Sequence, residues 1–108
     1  MDCRIAEVLH IIEDRPATDV ETLCASVNLS SSRLRHLFQA EVCVSLQRYV
    51  REQRLLRAKG LLRASFLTVK QVCAACGFRD TGHFAREFRK SFGMPPGAFR
   101  RTRGPRAR

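Results

Sequence analysis

The chain repeats one helical pattern at a spacing of about fifty residues, and this repeat limits what it can fold into. Residues 23–29 (LCASVNL) parallel residues 72–78 (VCAACGF) at an offset of 49. Past the turn the offset becomes 50, which aligns Leu34 with Phe84. Each copy reads as a short helix, a tight turn and a second capped helix. This order is typical of a helix-turn-helix, whose second helix enters the major groove of DNA.

Apolar residues recur at helical spacing along nearly the whole chain, and no stretch alternates with period two. Caps and breakers then delimit seven helices and no strands. The first helix contains Ile5, Val8, Leu9 and Ile12 and is expected to stop before Pro16. A capping box from Thr18 to Glu21 begins the second helix, a left-handed turn follows at Asn28, and Ser30 and Ser45 cap the third and fourth helices. A second capping box from Thr68 to Gln71 begins the fifth helix, which ends at Gly77, Asp80 caps the sixth, and a last turn contains Phe99.

The fourth helix, from Ser45 to about Ala64, carries apolar residues on two opposite sides. Leu46, Tyr49 and Val50 lie on one side together with the polar Gln53, and Leu55, Ala58 and Leu62 lie roughly opposite. Two stripes predict a rod that docks one lobe on each side. Its ~30 Å length is close to the ~34 Å between successive major-groove faces, so we expect both second helices to reach one face of a duplex.

The expected fold class is therefore all-α, with two helix-turn-helix subdomains joined by a long linker helix. The expected divisions are a first lobe at 1–43, the linker at 44–65, a second lobe at 66–101 and a disordered basic tail at 102–108.

Charge is concentrated in the second half of the sequence. The net charge is +10 and the pI is about 10.7. Residues 1–50 hold five basic against seven acidic groups, whereas residues 51–108 hold fifteen basic against three acidic. Such an excess favours a polyanion partner, although an acidic patch on another protein is an alternative. With 44% hydrophobic residues, no membrane-length apolar run and no signal peptide at the N-terminus, we expect a folded intracellular module.

Neither the five cysteines nor any other group of residues predicts catalysis. An odd count without a secretion signal predicts reduced thiols, and no second ligand pair completes a metal site around Cys73 and Cys76. Small buried thiols are the simpler interpretation, with metal or redox chemistry as the alternative. No nucleophilic triad, phosphate-binding loop or paired carboxylates are found, so we expect no enzyme activity, no metal and no cofactor.

Four stretches resemble the DNA-binding domain of the AraC/XylS family of bacterial transcription regulators. Residues 54–62 resemble its linker-helix motif, residues 77–89 its second helix-turn-helix and residues 92–100 its closing segment; residues 23–38 match more loosely. The resemblance covers roughly residues 5–101. Asn28 and Cys43 stand where the family often has glycine, and Gly82 where it usually has a polar side chain.

The resemblance implies a sequence-specific regulator, often an activator, that inserts two helices into adjacent major grooves of double-stranded DNA and contacts RNA polymerase. It would act in the cytoplasm at the nucleoid, away from membranes, as a monomer or, with a missing partner domain, as a dimer. The alternative is an accessory DNA-binding module excised from a larger ligand-sensing regulator or DNA-repair enzyme.

Candidate DNA-reading residues lie opposite the apolar stripes of the two second helices, and a solvated surface side chain is the alternative at each position. On the first they are Ser31, Ser32, Arg35, His36 and Gln39; on the second they are Thr81, Gly82, His83 and Arg86; the expected phosphate contacts are Arg89, Lys90 and Arg100. His83 has a further alternative role in fixing the helix cap. Of these residues, Arg86 has the strongest argument for a bidentate guanine contact.

Overall fold

The computed structural model describes residues 1–105, which form seven helices and no strand, so the all-α fold expected from the sequence is confirmed. The helices are α1 (Cys3–Asp14), α2 (Val20–Val27), α3 (Ser31–Val42), α4 (Leu46–Ala64), α5 (Val69–Ala75), α6 (Thr81–Phe92) and α7 (Pro96–Arg103). The chain divides into two compact units, the first ending at Gln53 and the second beginning at Arg54, so α4 contributes to both.

Each unit has its own apolar core. In the first unit α1, α2, α3 and the start of α4 bury Ile5, Val8, Ile12, Leu23, Leu34, Phe38, Leu46 and Val50. In the second unit the rest of α4 packs with α5, α6 and α7 and buries Leu55, Ala58, Leu62, Val72, Cys73, Cys76, Phe84, Phe88 and Phe99. The two apolar stripes of α4 therefore enter two separate cores, as their spacing predicts.

The two cores use corresponding sequence positions far beyond the helix-turn-helix pattern. At an offset of 50, or 49 in α2 and α5, buried residues of the first unit match buried residues of the second: Ile5 with Leu55, Val8 with Ala58, Ile12 with Leu62, Leu23 with Val72, Leu34 with Phe84, Phe38 with Phe88, and Leu46 with Pro96. The second half of α4 in the second unit thus corresponds to α1 in the first unit, and α7 corresponds to the first half of α4. The whole unit is duplicated.

The turns of the two copies close in the same way. Asn28 and Gly77 both have positive φ, at 55° and 88°, a conformation that Gly adopts freely and Asn tolerates. One backbone hydrogen bond then spans each turn, from Leu29 N to Cys24 O at 3.1 Å and from Phe78 N to Cys73 O at 3.0 Å. This bond fixes where the second helix of each pair begins.

An aromatic pair braces the second helix of each copy. The Phe38 and Tyr49 rings have centroids 5.6 Å apart, and the Phe88 and Phe99 rings, fifty residues later, are 5.5 Å apart. This contact holds α3 and α6, the second helices of the two helix-turn-helix units, against their cores. The opposite faces of both helices are exposed.

Two details of the helix boundaries differ from the sequence-based expectation. The cap of α2 is Asp19, whose Oδ1 accepts a hydrogen bond from Thr22 N at 2.8 Å, so the expected Thr18–Glu21 capping box is wrong. The backbone N–H of Thr18 is instead donated to Arg15 O in the preceding turn. At the other end α7 continues to Arg103, so residues 102 and 103 are helical rather than part of a tail; residues 106–108 lie outside the described part.

Candidate nucleic-acid interface

The exposed face of α3 carries the first set of candidate residues. Ser30 Oγ accepts a hydrogen bond from Arg33 N at 3.2 Å and starts the helix, while Leu34 and Phe38 are fully buried. The side chains between these buried positions consequently point away from the core. Five candidates are exposed and line one surface depression together with Ala40, namely Ser31, Ser32, Arg35, His36 and Gln39.

The exposed face of α6 is built in the same way. Asp80 Oδ1 accepts a hydrogen bond from Gly82 N at 2.8 Å, and Phe84 and Phe88 anchor the helix in the second core. All four candidates on this helix are exposed: Thr81, Gly82, His83 and Arg86. Each unit therefore presents one capped helix whose polar side is free and whose apolar side is fixed.

The register of the duplication pairs the candidates of the two helices. His36 is the counterpart of Arg86, and Ser32 is the counterpart of Gly82, whereas Arg35 corresponds to Ala85. Composition alone favours Arg35 as the base reader of α3, because arginine makes the commonest specific contact with guanine. The register instead pairs His36 with Arg86. This signal was present in the sequence, since the match of Leu34 with Phe84 already fixes the offset.

Because residue 82 is glycine, the first turn of α6 has no side chain at this exposed position. A Cβ atom added there would lie 3.3 Å from Asp80 Oδ1 and 3.5 Å from an Arg86 terminal nitrogen, Nη1. The guanidinium of Arg86 thus lies beside the space that a side chain at residue 82 would fill. Arg86 is therefore the long polar side chain next to the part of the first turn where residue 82 has no side chain.

His83 interacts along its own helix and with the turn before it, where its ring centroid lies 6.4 Å from that of Phe78. Its Nε2 lies 3.6 Å from Glu87 Oε1, a pairing between residues one turn apart that becomes an ion pair when the imidazole is protonated. The cap itself is provided by Asp80. The side chain of His83 is 52% exposed and is therefore still accessible to a partner.

The three expected phosphate contacts separate into two groups. Arg89 and Lys90 are exposed in the last turn of α6, where positive charge also offsets the helix dipole. Arg100 differs: it is half-buried, and its guanidinium donates hydrogen bonds to Leu62 O, at 3.3 Å from Nε, and to Leu67 O. These bonds give Arg100 a structural role inside the second unit, and its expected phosphate contact stays a prediction.

The two thiols of the Cys-x-x-Cys sequence belong to the core. Cys73 is 2% exposed and Cys76 is 1% exposed. Burial raises the pKa of both, that of Cys76 to about 11, so both are neutral thiols at physiological pH. A neutral thiol is a poor nucleophile and metal ligand. Among residues 1–105 no group of three or more His, Cys, Asp or Glu side chains is placed to hold a metal ion, and no helix there is long and apolar enough to cross a membrane.

The fold and its two exposed polar helices define a double helix-turn-helix domain of the DNA-binding type. A family profile described as "Helix-turn-helix domain" matches residues 23–102, and the chain belongs to this AraC-type family.

Similar proteins include transcriptional regulators of bacteria. The HTH-type transcriptional regulator GbdR of Pseudomonas aeruginosa (strain UCBPP-PA14) is 38% identical over 96 residues, which is 86% of this chain and 26% of that protein. The arabinose operon regulatory protein of Escherichia coli K12 is 35% identical over 103 residues, or 93% of this chain and 35% of that protein. The chain thus spans about a quarter to a third of the length of these relatives.

Solved structures share the whole double-unit fold. The DNA-binding domain of AdpA, solved in complex with a target DNA, has 30% identity and a TM-score of 0.80, covering 91% of this chain and 90% of that one. A probable AraC family transcriptional regulator from Rhodopseudomonas palustris CGA009 also has 30% identity and a TM-score of 0.80, covering 96% of this chain and 100% of that one.

Proposed function

We propose that this chain is the sequence-specific DNA-binding part of a transcription regulator, with α3 and α6 as its two reading helices. The observation that carries the proposal is the duplication, because it presents two capped helices with buried aromatic sides and exposed polar sides. The net charge of +10 supplies attraction to phosphates, and a DNA-bound relative has the same fold. The proposal holds whether the chain acts alone or as part of a longer regulator.

Base reading centres on His36 in the first unit and Arg86 in the second. Arg86 donates two hydrogen bonds to guanine O6 and N7, whereas His36 offers a single ring N–H or acceptor to a base edge. Arg35, Ser31, Ser32 and Gln39 flank His36, and Thr81 and His83 flank Arg86; they contact neighbouring bases or phosphates. Arg89 and Lys90 bind phosphates, which position the helix without reading sequence.

Further elements of the proposal come from the relatives. Some of them are named as transcriptional activators, which favours activation. A contact with RNA polymerase is what the family resemblance implies. The two reading helices would occupy adjacent major grooves of one duplex, and the protein would work in the cytoplasm at the nucleoid, as a monomer or through a partner domain as a dimer.

The test is selection of bound sequences from a random pool of double-stranded DNA, followed by affinities on the selected site and on scrambled DNA. Arg86→Ala is expected to cost ~1–3 kcal/mol on the selected site and to relax preference at one or two base pairs, with little effect on scrambled DNA. His36→Ala is expected to relax preference at a different position. If the pool yields no preferred sequence, the proposed function is wrong.

Arg101→Ala and Arg51→Ala provide matched controls, because both arginines are exposed and lie outside α3 and α6. They remove one charge each without touching a reading helix. If Arg86→Ala and Arg101→Ala lowered the affinity equally, for the selected site and for scrambled DNA alike, Arg86 would act only through its charge.

A further inference from the structure

The second unit has a surface depression that the proposed DNA contacts do not use. It is lined by Lys59, Arg63, Phe92, Met94, Phe99 and Arg103, which come from α4, α6, α7 and the segment between the last two. Its lining combines three cations with three apolar side chains. Such a combination is suited to a ligand that carries both negative charge and an apolar group.

Ring packing against the second core holds the aromatic side chains of this lining in place. The Phe92 ring packs edge-on against Phe88 with centroids 4.7 Å apart, and Phe99 packs against the same ring at 5.5 Å. Lys59 Nζ lies 4.8 Å from the centroid of Phe92. None of the three cations has an ion-pair partner among residues 1–105. The cations are thus available to an incoming carboxylate.

The first unit shows that the fold does not require these cations. At the offset of 50, the positions of Lys59, Arg63 and Arg103 are held by Leu9, Glu13 and Gln53. Leu9 packs onto the first core, and the Tyr49 hydroxyl donates a hydrogen bond to Glu13 Oε1 at 3.2 Å. The same place in the fold is therefore satisfied by one apolar residue, one acid and one amide.

The depression lies toward the C-terminal end of α6, away from its reading residues. Arg86 and Phe92 are six positions apart, which is about 9 Å along a helix, and the first turn of α6 is farther still. A ligand bound beside Phe92 leaves the exposed first turns of α6 free.

We propose that this depression is a docking surface for an acidic segment of a partner protein, with one apolar side chain of that segment resting on Phe92 and Phe99 and its carboxylates paired with Lys59, Arg63 and Arg103. Charge complementarity selects this occupant, because the second half of the chain carries fifteen basic groups against three acidic, whereas the corresponding place in the first unit carries no basic group. The proposal does not depend on base reading by α6.

The test replaces the three cations by their counterparts from the first unit, as Lys59→Leu, Arg63→Glu and Arg103→Gln together. The probe is a labelled synthetic peptide with several glutamates around one phenylalanine, and its affinity is measured by fluorescence anisotropy at about 0.1 M salt. Wild-type protein is expected to bind it, and the triple variant to bind it about tenfold more weakly. Exchanging the phenylalanine of the peptide for alanine is expected to weaken binding to wild type to a similar extent.

A matched control carries the same change of charge elsewhere on the second unit, as Arg57→Leu, Lys70→Glu and Arg101→Gln. All three residues are exposed and none lines the depression. Both triple variants are first shown to unfold at the wild-type temperature. The proposal would be overturned if the two triple variants bound the peptide with equal affinity. It would also be overturned if replacing the phenylalanine of the peptide by alanine left the affinity of the wild-type protein unchanged. A loss of affinity for DNA by the first variant beyond that of the control would also overturn it, because the cations would then be phosphate contacts.

Discussion

Removal of the Arg100 side chain separates a structural role from a phosphate contact. Its guanidinium donates to two backbone carbonyls, those of Leu62 near the end of α4 and Leu67 in the following loop. Arg100→Met keeps most of the apolar stem but leaves both acceptors without this donor. Hydrogen bonds from charged donors contribute about 1.5–3 kcal/mol each, but one of these two bonds is exposed and the other is only part-buried.

We therefore expect Arg100→Met to lower the free energy of unfolding by about 2 kcal/mol, equivalent to a melting temperature roughly 10 °C lower for a unit of this size. Circular dichroism followed during heating measures this change. Arg101→Met is the control: its side chain is exposed at the neighbouring position, and its effect on the melting temperature is expected to be small. At low temperature, where both variants are folded, their affinities for DNA are expected to be equal.

The opposite result would refute this reasoning. Arg100 would contact a phosphate if Arg100→Met had the melting temperature of the wild type but a lower affinity for DNA. The slope of log affinity against log salt concentration would then also fall in magnitude by about one.

Four further outcomes are expected. Affinity for DNA should fall ~10³–10⁵-fold between 50 and 200 mM salt if ~6–10 phosphates are contacted, and a flat titration would remove the electrostatic argument. Cys43 has φ 66° where its counterpart Gly93 has φ 82°, so Cys43→Gly should raise stability by about 1 kcal/mol in a denaturant titration; an unchanged midpoint would show that the turn is unstrained. Replacing Cys73 by Ala and Cys76 by Val should cost about 1–3 kcal/mol and leave DNA specificity intact, and stoichiometric zinc in the wild-type protein would contradict a purely structural role. The Cys76 pKa of about 11 lies above the ordinary 9.0, so stability should decline between pH 9 and 11 and decline less in that double variant.

Local signals in the sequence were sufficient for most of the fold. The caps at Ser30 and Asp80 and the capping box from Thr68 to Gln71 are present, because each depends on residues at most three positions apart. At α2 two acceptors compete, Thr18 and Asp19. Asp19 caps the helix, while the backbone N–H of Thr18 is held in the turn that ends α1, a contact with no pattern in the sequence.

Long side chains were harder to place than helices. Arg100 follows Phe99 in a basic stretch, and nothing local distinguishes it from the exposed Arg101; only the approach of α7 to the end of α4 gives it carbonyl acceptors. The full extent of the duplication was also missed. The match of Ile5 with Leu55 is hidden in sequence because α4 belongs to both copies, and each half of it resembles a different helix.

The shared buried positions of the two units have a consequence for how such a domain diversifies. Positions that must match in order to fold are inside, so the exposed positions of one copy are free to change while the other copy continues to work. Serine and histidine on α3 stand where glycine and arginine stand on α6, and a leucine, an acid and an amide stand where three cations surround an aromatic floor. One half of such a domain can therefore carry a binding site that the other half lacks, and the residues of the other half show which side chains the same backbone also accepts.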